Sequence, residues 1–158
     1  MFNLFKNHKN TTIYSPVDGE LIPISQVSDP TFAEKMLGDG VAIIPSSNEI
    51  KAPADGDIAM VFDTNHAASI VTNGIELLVH CGIDTVNLKG EGFSAHTETG
   101  AKVKLGDALL SMDLDLIKEK GYDTVIPIIV LNTTDMKSIT PMAPGKVKAG
   151  DPIMEIEK

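Results

Sequence analysis

The chain has 158 residues, with 13 Lys plus Arg against 22 Asp plus Glu, a formal charge of -9 and 42% hydrophobic side chains. That length suits one domain, and the acidic balance argues against a nucleic-acid partner. The one cysteine, Cys81, excludes an intrachain disulfide or a multi-cysteine zinc site and fits a reducing, cytoplasmic compartment.

No run approaches the ~20 apolar residues of a membrane span. The segment Met1–Asn10 lacks the apolar centre of a signal peptide. Phe2, Leu4 and Phe5 beside Lys6, His8 and Lys9 make a weak membrane-surface pattern, but so short a segment is expected to be a frayed tail. Residues 1–12 are read as a flexible tail and 13–158 as one domain.

The domain opens on an internal repeat. Ser15-Pro16-Val17-Asp18-Gly19-Glu20-Leu21-Ile22 is echoed by Ala52-Pro53-Ala54-Asp55-Gly56-Asp57-Ile58-Ala59, each a turn launching a short strand. A later pair, Val103-Lys104-Leu105-Gly106-Asp107 and Val147-Lys148-Ala149-Gly150-Asp151, reads as strand and Gly-Asp turn. Between them, Thr31–Met36 predicts one helical turn after Asp29-Pro30. Asp113–Lys120 predicts a short helix capped by Asp113 and stopped by Gly121. Strand-like runs lie at Val41–Ile44, Ala59–Phe62, Ala68–Val71, Ile75–His80, Ala108–Met112 and Val125–Val130. Short strands, close turns and few helices predict an all-β fold, a compact antiparallel β-sandwich of barrel-sandwich hybrid type with short helical turns.

The runs around Thr72-Asn73-Gly74 carry the chemistry. A three-residue loop ending in Gly74 would pair Val71 with Ile75 and set His66 opposite His80 on one face. A two-residue Asn-Gly turn would shift the register by one and part the imidazoles. Facing imidazoles make half a zinc site, or a nucleophile beside an anion stabiliser, or two ordinary surface residues. Cys81 cannot easily join His80, because neighbouring strand residues point to opposite faces.

Two segments, Phe62-Asp63-Thr64-Asn65-His66-Ala67 and Glu76-Leu77-Leu78-Val79-His80-Cys81-Gly82-Ile83-Asp84-Thr85-Val86-Asn87-Leu88-Lys89-Gly90-Glu91-Gly92-Phe93, together resemble the glucose-family IIA proteins of the bacterial sugar phosphotransferase system. Phe32–Pro45 and Ala52–Ile58 extend the likeness, which runs from about Tyr14 to the C-terminus and weakens after Leu116. The resemblance implies a phosphohistidine carrier in sugar uptake. It would take a phosphoryl group from HPr and pass it to a IIB domain of the sugar permease, with only transient membrane association through that permease.

On this resemblance His80 is the phosphoryl acceptor, His66 stabilises the phosphoryl group and Thr64 orients His66. No cofactor is required, although His66 and His80 could share a zinc ion with a regulatory partner. A shallow docking patch would draw on Phe32, Met36, Leu37, Phe62, Leu78, Asp84 and Val86. Leu78 and Cys81 stand where relatives often carry phenylalanine, which implies a flatter patch. His8 and His96 are expected to be solvated. The rival readings are a regulatory binding protein without phosphotransfer and a biotinyl or lipoyl carrier, whose lysine would be Lys137 in Met136-Lys137-Ser138. A zinc peptidase of related scaffold lacks its further ligands.

Overall fold

The computed structural model describes residues 10–158. Fourteen strands form, beginning with β1 (Asn10–Tyr14), β2 (Gly19–Pro23), β3 (Asp39–Pro45), β4 (Glu49–Lys51) and β5 (Gly56–Val61). The chain continues through β6 (Ala67–Thr72), β7 (Ile75–His80), β8 (Phe93–Ala95), β9 (Lys102–Val103) and β10 (Ala108–Met112). It ends with β11 (Ile126–Val130), β12 (Ser138–Pro141), β13 (Gly145–Val147) and β14 (Pro152–Glu157). Two short helices, α1 (Pro30–Ala33) and α2 (Leu114–Glu119), begin at Asp29 and Asp113, whose side chains accept from the first-turn N–H groups of Thr31 and Leu116. Residues 10–12 therefore belong to β1, and the domain starts earlier than residue 13. Residues 1–9, with the membrane-surface pattern and His8, lie outside the described residues.

An eight-stranded sheet runs in the order β13-β2-β3-β11-β7-β6-β5-β9, with three-stranded sheets β1-β14-β12 and β4-β10-β8 beside it. All its pairings are antiparallel. Strand alternation explains the layers. Leu77 and Val79 of β7, Ile126 and Ile128 of β11 and Ile70 of β6 join the main core with Ile13, Ile50, Leu110 and Met154 of the smaller sheets. The opposite face of the large sheet offers Leu78, Ile129, Ala42 and Ala67, which Ile24, Val27 and Phe32 of the link between β2 and β3 cover. β11 is consequently buried on both faces, which is why it reads as an unbroken apolar run.

The sequence repeats form one structural unit used twice. The Asp18 carboxylate accepts from Ala149 N–H (2.8 Å), and the Asp55 carboxylate accepts from Leu105 N–H (2.7 Å). Within the Gly-Asp turns, Asp151 accepts from Lys148 N–H and Asp107 from Lys104 N–H, both at 2.8 Å. The units are cross-linked reciprocally, Tyr14 N–H to Pro53 O (3.0 Å) and Lys51 N–H to Pro16 O (2.7 Å). Gly19 and Gly56 open β2 and β5 where a Cβ would fall 2.1 Å from Ile44 O and 2.3 Å from Val71 O.

Candidate functional site

The turn between β6 and β7 forms from two residues. Asn73 (φ 49) and Gly74 (φ 77) are both left-handed, as a primed hairpin turn requires. Thr72 pairs with Ile75, and His80 stands opposite Ala67 rather than His66. The expected register is thus wrong by one residue. The imidazoles meet all the same, with ring centroids 4.9 Å apart and planes at 83°. His66 precedes β6, and Asn65 (φ 57) breaks the strand geometry just before it, so strand alternation does not dictate the direction of its ring.

Each ring is held. His66 is 3% exposed and lies edge-on to Phe62 at 5.4 Å, with Phe93 at 6.4 Å. Its Nδ1 is 2.5 Å from Thr64 Oγ1. His80 packs against Phe32 at 5.1 Å, and its Nδ1 lies 2.8 Å from Gly82 O. A carbonyl only accepts, so Nδ1 carries the proton and Nε2 keeps a lone pair. Burial lowers the His66 pKa to about 4, with the neighbouring His80 adding to the effect. Burial also lowers His80, against the upward pull of the Gly82 hydrogen bond and of Asp29 and Asp84. Both shifts favour the neutral imidazole at pH 7.

A groove opens over His80, lined by Phe32, Leu37, Phe62, Leu78, Asp84 and Val86. Met36 does not line it, although it is exposed. Phe32 and Leu78 are both groove floor and core. Cys81 points into the main core, where burial raises its thiol pKa to about 12, so it does not flatten the groove. Sequence reading missed Asp29, Thr31, Met60, Ser69 and Leu131. Two-residue spacing was the available signal for one of them, Met60, two residues before Phe62. His96 is exposed and bonds Ser111 Oγ at 2.5 Å, away from the groove. Lys137 enters β12 with its N–H on Glu157 O at 2.7 Å and its ammonium 3.7 Å from the Glu157 carboxylate, which is no free hairpin tip for a carrier lysine.

The family of the phosphoenolpyruvate-dependent sugar phosphotransferase system, EIIA 1, matches residues 11–136. The chain belongs to this EIIA family. It is 46% identical to the PTS system glucose-specific EIIA component of Halalkalibacterium halodurans, covering 96% of this chain and 92% of that protein. The component of the same name from Buchnera aphidicola is 44% identical over 97% of this chain and 95% of its own length. The glucose permease IIA of Mycoplasma capricolum superposes with a TM-score of 0.85 at 39% identity, covering 93% of this chain and 96% of that one. As an EIIA component, the chain is a phosphocarrier of sugar uptake and a transferase, and its β-sandwich is the fold of that structural neighbour. Among the described residues no helix is long and apolar enough to cross a membrane.

Proposed function

We propose that His80 accepts the phosphoryl group from phospho-HPr on Nε2 and hands it to a IIB domain of a glucose-class permease. The observation that carries this reading is the pairing of the His80 Nδ1 to Gly82 O bond with a second neutral imidazole 4.9 Å away. The Nε2 lone pair attacks phosphorus in line, the bond from phosphorus to HPr breaks, and its electron pair leaves with HPr. Such transfer depends mainly on positioning and charge stabilisation. With the Thr64 hydroxyl donating to His66 Nδ1, the His66 proton sits on Nε2, free to donate to a phosphoryl oxygen. Delivery to IIB reverses the steps, with the IIB nucleophile attacking phosphorus and His80 leaving as the neutral ring.

The apolar groove offers one surface to both partners in turn, and a partner docked over it would exclude water from this labile bond. Two imidazoles supply half of a tetrahedral zinc set. Among the described residues no group of three or more His, Cys, Asp or Glu could complete it. A zinc ion bound here would draw its remaining ligands from a regulatory partner.

The test is intact-protein mass after incubation with phosphoenolpyruvate, enzyme I and HPr. The wild type should gain one acid-labile phosphoryl group and His80→Gln none. His66→Gln should still be phosphorylated but fail to pass the group on. A phosphorylated His80→Gln would overturn the assignment.

A further inference from the structure

The carbonyl that sets the His80 tautomer belongs to a strap, residues 81–84, with an unusually complete set of tethers. Cys81 N–H donates to His66 O (2.7 Å), Gly82 N–H to Val125 O (2.9 Å) and Ile83 N–H to Asp123 O (3.0 Å). Gly82 has φ 87, where a side chain is strained and the backbone has little of its own to restrain it. Part of its restraint comes from the bond to Val125 O and from Asp123 O, which a Cβ on Gly82 would meet at 3.0 Å, and part from Thr85. A Cβ on Gly82 would lie 2.4 Å from Thr85 Cγ2 and 3.1 Å from Thr85 Oγ1, so the threonine fills the space beside that backbone. Thr85 is 0% exposed, and its hydroxyl donates to Cys81 O at 2.6 Å. The peptide between Cys81 and Gly82 is thereby held at both ends, by Thr85 at the carbonyl and by Val125 at the N–H. The next carbonyl along the chain is the one His80 uses.

We propose that Thr85 is a positioning residue for phosphoryl transfer, its hydroxyl holding the strap so that Gly82 O stays on His80 Nδ1–H and the Nε2 lone pair stays free. The transfer role rests on reading His80 as the acceptor, whereas the tautomer it controls is measurable without transfer. Removing the hydroxyl leaves the buried Cys81 carbonyl without that donor. The strap then relaxes, and His80 samples the tautomer with its proton on the attacking nitrogen.

The experiment is nitrogen NMR of the histidine rings above pH 7 in the wild type, Thr85→Val and Thr85→Ser, with initial rates of phosphoryl uptake measured against HPr concentration. The wild type and Thr85→Ser should show His80 as the Nδ1–H tautomer. Thr85→Val should show mixed tautomers, with uptake slowed roughly tenfold or more. The half-saturating HPr concentration should stay unchanged, since Thr85 is buried. A folded Thr85→Val with a single Nδ1–H tautomer and the wild-type rate overturns the proposal. Should Thr85→Val not fold, Thr85→Ala, which also lacks the hydroxyl, decides: mixed tautomers and slowed uptake beside an unchanged Thr85→Ser support the hydroxyl's role, and a folded Thr85→Ala with a single Nδ1–H tautomer and the wild-type rate overturns it. If even the wild type takes up no phosphoryl group, the acceptor reading fails, and the tautomers still decide what Thr85 does.

Discussion

β2 and β5 are equivalent strands of the repeated unit, yet the links that leave them differ threefold in length. β2 reaches β3 through residues 24–38, which carry a 3-10 turn and α1. β5 reaches β6 through residues 62–66 alone. The long link lays Ile24, Val27 and Phe32 over the outer face of the sheet and sets one wall of the groove. The short link bends tightly at Asn65 and delivers Thr64 and His66 to the end of β7. A symmetric frame thus acquires one distinct face because its two equivalent exits differ, one giving cover and the other bringing the two histidines together.

The largest expected effect tests the covering link. Phe32 is 5% exposed and contacts His80, so Phe32→Ala should lower stability by about 3–5 kcal/mol, read as a fall in the urea midpoint. An unchanged midpoint would mean that the link is ornament rather than part of the core.

The short link makes its own demand, through pH. His66 has a folded pKa of about 4 against 6.5 in the unfolded chain, so between these values the unfolded chain binds more protons. Stability should be full above about pH 6.5 and decline as pH falls towards 4, by up to roughly 3 kcal/mol for this one group. His80, shifted in the same direction, adds to the decline. His66→Gln should flatten the curve of unfolding free energy against pH, and parallel curves for the two proteins would refute the neutral burial of His66.

The frame itself should respond symmetrically. Asp18→Ala and Asp55→Ala each remove one carboxylate acceptor from the matching backbone N–H of Ala149 or Leu105. Each should cost about 1 kcal/mol in thermal or urea unfolding. Clearly unequal losses would show that the repeated motif no longer does the same work in both halves.

Much of the frame was legible because its signals are local. Asp29-Pro30 announced a helical turn, expected over Thr31–Met36 and formed over Pro30–Ala33, and Asp113 announced α2 as its cap; both aspartates bond first-turn N–H groups, an interaction that acts within one turn. The paired Pro-x-Asp-Gly and Val-Lys-x-Gly-Asp segments announced equivalent turns, though not that the aspartate of one motif closes the turn of the other. The hairpin was found but its register was misread, since Thr72-Asn73-Gly74 admits a loop of two or three residues. Asn73 adopting positive φ settled it in favour of two.

The sequence by itself determined the chemistry available, namely two histidines, a threonine two residues before one of them, and a glycine two residues after the other. These are matters of residue type and short spacing. Only the tertiary structure decided how they meet. The contact between His66 and His80 arises from a turn that ends strand alternation, not from the register that alternation suggested. The protonation of His80 depends on a carbonyl fixed by Val125, Asp123 and Thr85. Hydrogen bonds and ring contacts between distant segments act at ångström precision, and no one-dimensional pattern carries that information.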